Sequence, residues 1–500
     1  MLLAAGLAFF AGLSATPLID LDEGAFTAAT QEMFARGDFL ATYLNGQPRH
    51  DKPILIYWLQ AASAGLFGFT EFALRLPSAL LGLAWMGLAY HFARRLYNRE
   101  VAATAAIVTA TTLGIAFVAR IATADALLDA CIAAAIFFQY LWFRFGQSRD
   151  LLLGWLAMAC GFLAKGPVAL VIPLAVLLLH CASQGRWRDF LVYVTRWRAL
   201  LLFIAVALPW YVAVTWVKGP AFVETFFFRH NVGRFSGAMG QYHNYGVFYY
   251  LPVLLFATQP YTALLFPLAR RLKQLWREDD FARYALILFG LVFVLFSASA
   301  NKLPHYLLYG FSALVVLLAR QLPTARSRWH LLPPLLLAVA MLLLPEGLEA
   351  ARQRANPYYQ TMLADLGSYF DTVYYLAFAA FALVMIIFII ERRLAIATKL
   401  QVAGLMGVYA LAFVFLPALG GVLQQPIKQA GLIARGIDAP LVMYGFNTPS
   451  FGVYAQRVVE KRLPLPGEIA LTQVDRLREL PAHDLLFRSK HIVLIRVNAP

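Results

Sequence analysis

The chain has 500 residues, 61% of them hydrophobic and only 14% charged, with a mean hydropathy of +0.66. A water-soluble domain carries about 45–50% apolar and about 25% charged residues, so this composition excludes an ordinary soluble globule. The net charge of +15 says less than where the basic residues fall, and no nucleic-acid, nucleotide-loop or zinc-protease motif accompanies them.

Apolar runs of about 20 residues, long enough to span a bilayer, recur along the chain. They are continuous and not alternating, which predicts helices and not a barrel. Thirteen spans are predicted, at 1–18, 79–97, 101–119, 124–143, 151–164, 167–183, 199–217, 246–268, 283–299, 303–319, 329–345, 372–390 and 400–420. The first ends without a small-residue cleavage site and is read as a retained helix. With a cytoplasmic N-terminus, the loops 94–100, 144–150, 184–198, 270–283, 320–328 and 391–399 face inward, and each is rich in Arg or Lys. That is the positive-inside pattern.

The first outer segment, 19–78, holds two apolar stretches. Phe26, Ala29, Met33 and Phe34 recur at helical spacing, and 53–69 carries Tyr57 and Trp58. Both are predicted as helices lying along the interface, holding polar residues over a groove. The tail, 421–500, breaks into short apolar segments separated by Pro, Gly and Asp. It is predicted as a small outer α/β domain, with strands around an exposed helix, beside a membrane domain at 1–420. Cys131, Cys160 and Cys181 lie in spans, without disulfide or metal-site spacing.

Charge collects at one level. Asp20, Asp22 and Glu23 stand where the first span leaves the membrane. A carboxylate costs about 2.5–3.5 kcal/mol at the centre of a spanning helix, so acids belong at its edge. Asp20 is read as a helix end. The Asp22–Glu23 pair has company on the same side: Asp51 and Lys52, Arg120 and Asp125, Lys165, the group Arg229, His230 and Arg234, and the group Asn301, Lys302 and His305. A single such cation is an ordinary interfacial anchor or helix-end charge. Five segments together predict one polar site roofed by loops. Its cations suit a phosphate, and its carboxylates suit a nucleophile that must lose a proton.

In order, these segments are the Asp22–Glu23 pair, RGDFLATYLNGQPRHDKP (36–53), FALRLPSALLG (72–82), RIATADALL (120–128), GFLAKGPVAL (161–170), FFFRHNVGRF (226–235) and SANKLPHYLL (299–308). The set resembles the bacterial membrane glycosyltransferases of GT-C fold, in the aminoarabinose transferase and protein O-mannosyltransferase-like group. The resemblance covers roughly residues 10–320. It implies an all-α polytopic protein of the bacterial inner membrane with its active site facing the periplasm. Such an enzyme moves a sugar from a polyprenyl (undecaprenyl) phosphate carrier to lipid A or to another glycolipid, glycan or protein acceptor. It implies Asp22 as catalytic acid with Glu23 beside it, Asp125 as a second acid, and Lys52 as the lysine of a Glu-Lys-Pro segment in which Asp51 replaces Glu. Lys165, Arg229, His230 and Lys302 fall in further family motifs, and Arg229, Arg234 and Lys302 are candidates to support Lys52 at the phosphate. No cofactor is required on this reading; Asp22, Asp51 and His230 are the set that would take a divalent cation. A monomer embedded in lipid suffices. The pair is followed by Gly24-Ala25-Phe26, where aminoarabinose transferases carry an Arg and a Tyr, so the resemblance carries the transferase class further than the sugar. A transporter or flippase of lipid-linked sugars is the alternative, and it predicts inverted repeats and ionisable residues at mid-membrane.

Overall fold

The computed structural model describes residues 1–233 and 246–498. Among them, seven helices are long and apolar enough to cross a membrane: Glu71–Leu96, Asp125–Phe145, Trp197–Lys218, Asp280–Ala298, Pro304–Thr324, Thr372–Ile390 and Ile396–Arg435. Two bent pairs raise the number to nine, Val247–Ala257 with Tyr261–Arg270 at 116° and Arg328–Leu342 with Leu344–Arg354 at 47°. Several expected spans are thus shorter or broken. The first forms only Leu2–Ala5 and a π-helical continuation, Gly6–Phe10, because the chain turns at Gly12 with φ +72°. Arg99–Thr111 stops at an extended Thr112 before the short Leu113–Val118. Ser148–Lys165 and Val168–Ser183 form a tight pair around Gly166, whose positive φ an L side chain would resist. Outward faces are apolar: Thr372–Ile390 exposes Val373, Leu376, Leu383, Ile387 and Ile390. A helix that turns such a face outward is stable against lipid, not water.

The outer segment contains helices Asp22–Arg36 and Leu55–Phe67, joined by a two-stranded hairpin, β1 (Thr42–Leu44) and β2 (Gln47–Arg49). The next helix starts at Glu71, inside the stretch expected as loop, because Thr70 caps it by accepting from the Ala73 amide at 3.2 Å.

The tail forms a five-stranded sheet in the order β4 (Glu460–Lys461), β3 (Leu441–Met443), β5 (Ile469–Gln473), β7 (Ile492–Val497) and β6 (His483–Ser489). β3 runs parallel to β4 and β5; β7 is antiparallel to β5 and β6. The expected boundary at 420/421 falls inside one helix, Leu416–Arg435, whose far end buries Ile427, Ala430 and Ala434 against Leu441, Ile469 and Leu494. The sequence predicts an exposed helix in the tail without placing it; the tail's helix Ser450–Ala455 is buried on that long helix, where Gly431 lies against Tyr454 and a side chain would clash. The tail also grips the outer segment: Tyr454 Oη accepts from the Leu18 amide (2.7 Å) and donates to Glu71 (3.1 Å), and Ser450 donates its amide to Asp20 (3.1 Å).

Candidate active site

The N-terminal turn of helix Asp22–Arg36 separates its two acids. Neighbours on an α-helix point about 100° apart. Asp22 is exposed, and Glu23 is buried at 1% accessibility. Glu23 is fully engaged. Its Oε1 accepts from Arg75 Nε (2.7 Å) and the Ala122 amide (2.8 Å), and its Oε2 from Arg75 Nη2 (2.7 Å) and the Ile19 amide (2.7 Å). Arg75 spends its other protons on the carbonyls of Leu13, Thr16 and Pro17. This corrects the catalytic expectation for Glu23. The carboxylate is saturated by donors that tie the first outer segment to two other loops, and neither oxygen is open to a substrate. Arg120 also turns away from the site, its guanidinium capping the carbonyls of Leu7, Ala8 and Ala11 at the end of the first helix.

A cavity of about 360 Å³ brings together four of the predicted residues, Asp51, Lys52, Lys165 and His230, whereas Asp22, Asp125, Arg229 and Lys302 are not among its lining residues. Its polar wall holds Asp51, Lys52, Lys165, His230, Ser299, Asn301, Tyr306 and Tyr309; Pro167, Val168, Val171, Leu295 and Phe296 make the apolar wall. Lys52 is set by its neighbours: Nζ donates to the Asp51 carbonyl (3.2 Å) and to Asp51 Oδ2 (3.4 Å). Asp51 in turn takes a two-pronged bond from Arg49, 2.6 Å to Oδ1 and 3.0 Å to Oδ2. Burial works against ionisation of Asp51, yet the Arg49 guanidinium, with Lys52, holds its carboxyl well below the usual carboxylate range. Arg49 also donates to the Ala25 carbonyl (2.5 Å) and stacks over Phe26, 5.1 Å from the ring centre. It links the hairpin to the helix that carries Asp22. Sequence reading overlooked Arg49; the signal was its place two residues before Asp51, at the end of a strand.

The opposite wall is built on two helix ends. Asp125 begins helix Asp125–Phe145 and Lys165 ends Ser148–Lys165, so the acid sits at a positive helix end and the lysine at a negative one. They form a short ion pair, and Lys165 also donates to Tyr309 Oη at 3.2 Å. Asp125 Oδ2 accepts from Thr123 Oγ1 at 2.8 Å, and Oδ1 lies 3.2 Å from His305 Nε2. Lys302 donates to the Ser299 carbonyl (2.8 Å). His230 lines the cavity, whereas Arg229 on the same π-helical segment is exposed. Arg234 lies outside the described residues. No three His, Cys, Asp or Glu side chains converge on a metal-sized site among the described residues. A second residue that sequence reading missed is Asp129, one turn below Asp125, buried at 1% accessibility with neither oxygen hydrogen-bonded.

With this geometry in hand, the relatives of the chain can be stated. Residues 51–211 match the family model of dolichyl-phosphate-mannose-protein mannosyltransferase. An uncharacterized protein of Aquifex aeolicus is 31% identical over 301 residues, 60% of this chain and 67% of that protein. The undecaprenyl phosphate-alpha-4-amino-4-deoxy-L-arabinose arabinosyl transferase 1 of Pseudomonas fluorescens is 32% identical over 332 residues, 64% of this chain. The crystal structure of ArnT from Cupriavidus metallidurans bound to undecaprenyl phosphate superposes with a TM-score of 0.81 at 22% identity, over 99% of this chain and 96% of that one. The chain shares the fold of ArnT and is similar in sequence to the aminoarabinose transferases. Its match spans 59% of the length of the P. fluorescens transferase, while the shared fold, tail sheet included, extends over nearly the whole chain. The Asp51-Lys52 corner and the Asp125–Lys165 pair fall inside the matched residues 51–211.

Proposed function

We propose that this ArnT-like chain transfers a sugar from a polyprenyl phosphate carrier, undecaprenyl phosphate in bacteria, to an acceptor at the outer face of the inner membrane. One observation carries the reading: a single cavity joins a cationic wall, with Lys52 and Lys165, to an apolar wall of Val168, Val171, Leu295 and Phe296. A lipid phosphate is a ligand with those two halves. The bond between the anomeric carbon and the phosphate oxygen breaks as the acceptor attacks, and the leaving phosphate gains charge. Cations already aimed at that oxygen stabilise the transition state more than the ground state. Lys52, fixed by Asp51 and Arg49, is assigned this task, with His230, Lys302, Arg229 and Arg234 in support. Asp22, exposed at the start of its helix, is assigned to the sugar, where a carboxylate offsets positive charge growing at the ring. The P. fluorescens relative's name describes an aminoarabinose donor; Gly24-Ala25-Phe26 departs from that group's pattern, so the carrier lipid transfers to this chain more readily than the sugar does.

The same reading takes thirteen membrane passages, counting short and bent helices, with the basic loops inside and the cavity facing the periplasm. It takes a membrane domain and a small outer domain seated on the end of helix Leu416–Arg435, working as a monomer. The test is lipid mass spectrometry on strains with and without the chain. Deletion is expected to accumulate an undecaprenyl-phosphate-linked sugar and to remove one sugar mass from lipid A or another outer-face glycoconjugate. Plasmid-borne wild type should restore both, and Asp22→Asn neither. An unchanged carrier pool in all strains would sink the reading.

A further inference from the structure

Loop 184–198 carries the tripeptide Arg-Trp-Arg twice, at 186–188 and at 196–198. All six side chains are exposed, and they stand at the two ends of the short helix Trp187–Thr195. Tyr193 anchors that helix: it is fully buried, its ring 5.0 Å from Trp142 and 5.9 Å from Trp155. With Tyr193 turned in, the 100° step per residue turns Trp187, Arg188, Leu191 and Val192 out, and all four are exposed. Helix Leu272–Glu278 has the same arrangement. Leu272 and Trp276, four residues apart, are exposed on one side, and Lys273 and Arg277 follow them. The two helices meet at one seam. Gln184, just before the first, donates to Asp280 Oδ1 (2.8 Å), just after the second, and Tyr140 Oη donates to Asp280 Oδ2 (2.9 Å). The seam lies far from the cavity. Helix Val168–Ser183 begins with Val168 and Val171 at the cavity and ends one residue before Gln184; helix Asp280–Ala298 begins at the seam and brings Leu295 and Phe296 to the cavity. At 1.5 Å per residue those helices are about 24 and about 28 Å long, close to the roughly 30 Å of a bilayer's hydrocarbon core. The two short helices therefore lie at the opposite membrane surface.

We propose that this face binds an anionic phospholipid, with Trp187, Leu191, Leu272 and Trp276 against its acyl chains and Arg188, Arg196, Arg198, Lys273 and Arg277 at its phosphate. A Trp and a Leu one turn apart, both facing out, are stable against acyl chains and not against water, and the cations beside them stay at headgroup depth. The charges select the headgroup. Arg186 is already engaged, 2.5 Å from Asp189 and 4.0 Å from the centre of the Phe143 ring. Among the described residues, Arg188, Arg196, Lys273 and Arg277 are exposed and have no side-chain hydrogen bond or ion pair within the protein. Arg198 lies over the Trp197 ring, 5.4 Å from its centre, which stiffens its guanidinium without using its donors. A zwitterionic lipid offers the same phosphate but brings an ammonium that these cations repel; a phosphatidylglycerol headgroup brings none. Setting the orientation of the chain requires only that Lys and Arg be present in the loop. It does not require an exposed Trp beside the cations on each of two helices, nor a seam that fixes the helices to each other.

The experiment titrates purified full-length protein in detergent with phosphatidylglycerol and, separately, with phosphatidylcholine of the same acyl chains, and counts bound lipid by native mass spectrometry. Wild type is expected to bind phosphatidylglycerol in preference to phosphatidylcholine. The preference should fade as salt rises from about 0.1 M to about 1 M, where the screening length drops from about 10 Å to about 3 Å. Arg188→Gln should weaken phosphatidylglycerol binding about fivefold, and Gln at 188, 196 and 198 together about 10²-fold, in line with what each cation adds at an anionic surface. Lys at the same three positions keeps the charge and should stay within about threefold of wild type. Trp187→Ser should weaken both lipids and leave the salt dependence unchanged. Wild-type circular dichroism and a monodisperse gel-filtration peak report folding. Equal binding of the two lipids by wild type, or undiminished phosphatidylglycerol binding by the folded triple Gln variant, would overturn the proposal. Should that variant not fold, Arg188→Gln decides: wild-type binding by it overturns the proposal, and the fivefold loss supports it.

Discussion

Two acid–base centres flank the start of the outer segment, and they are built to opposite ends. Around Glu23, Arg75 and three loops, every oxygen and guanidinium proton has a protein partner, and accessibility falls to 1% for the acid and 3% for the arginine. Around Asp125, Lys165 and His305, the same ingredients stand behind a cavity that Lys165 lines, and the histidine stays partly accessible. A saturated pair fixes geometry, and an incompletely saturated one leaves capacity for a substrate. Asp22 and Glu23 differ by one residue in sequence and by one helical step in direction, and that step decides which kind of centre each serves.

The contrast breaks most visibly at Glu23. Replacing it with Gln leaves Arg75 buried without its counter-charge, a change that costs about 3–5 kcal/mol. Thermal unfolding in detergent should shift sharply downward and membrane accumulation should fall. Asp22→Asn, one position away and exposed, should move stability by no more than about 0.5 kcal/mol while removing transfer. If the two variants behave alike, the division between the centres is wrong.

Lys52→Met sharpens the other side. It should lower transfer about 10²–10³-fold, the scale of losing one donor aimed at developing charge, and weaken undecaprenyl phosphate binding in titration calorimetry, with the folded protein intact. A smaller effect is expected one layer back. Arg49→Lys keeps the charge but loses the two-pronged grip on Asp51, so donor KM should rise about tenfold, in line with the about 1.5–3 kcal/mol carried by hydrogen bonds to charged groups. An unchanged KM would show that Asp51 and Lys52 hold their positions without Arg49.

Much of this was legible in the residues. Charge scarcity made Asp125, Lys165, Lys52 and His230 conspicuous, and four short motifs from distant parts of the chain do line one cavity. Helix type and place followed from apolar runs, because lipid enforces intrasegment hydrogen bonding. Three things were hidden. Arg75 sits in an ordinary-looking FALRLPSALLG stretch, and only tertiary folding brings it to Glu23. Periodicity could not mark where helix Leu416–Arg435 changes from lipid to sheet contact, since Val422, Ile427 and Ala434 are apolar on both sides of the expected boundary. The count of thirteen spans treated hydropathy as length; turns at Gly12 and Thr112 shorten two of them.

The smallest expected effect sits at Asp20, where the tail meets the outer segment. Its carboxyl accepts from the Ser450 amide and hydroxyl, and the Gln424 side-chain amide, turned nitrogen-first, lies 3.2 Å from Oδ2. Burial pushes its pKa up to about 7; the two Ser450 bonds pull the other way, and nearby Glu23 adds to the rise. An acid that holds its proton more tightly when folded contributes stability that is complete below its unfolded value of 3.8 and is lost as pH rises through about 7. The wild-type melting temperature should therefore decline across that window by an increment that Asp20→Asn lacks. Ser450→Ala should act in the opposite sense: removing a hydrogen bond that favours the charged form raises the Asp20 pKa further, carries the decline to higher pH, and costs about 1 kcal/mol where the carboxylate is ionised. Parallel melting curves against pH for all three proteins would mean that Asp20 keeps one protonation state in folded and unfolded chains alike, and that the tail is held by Tyr454, Glu71 and the buried end of helix Leu416–Arg435 instead.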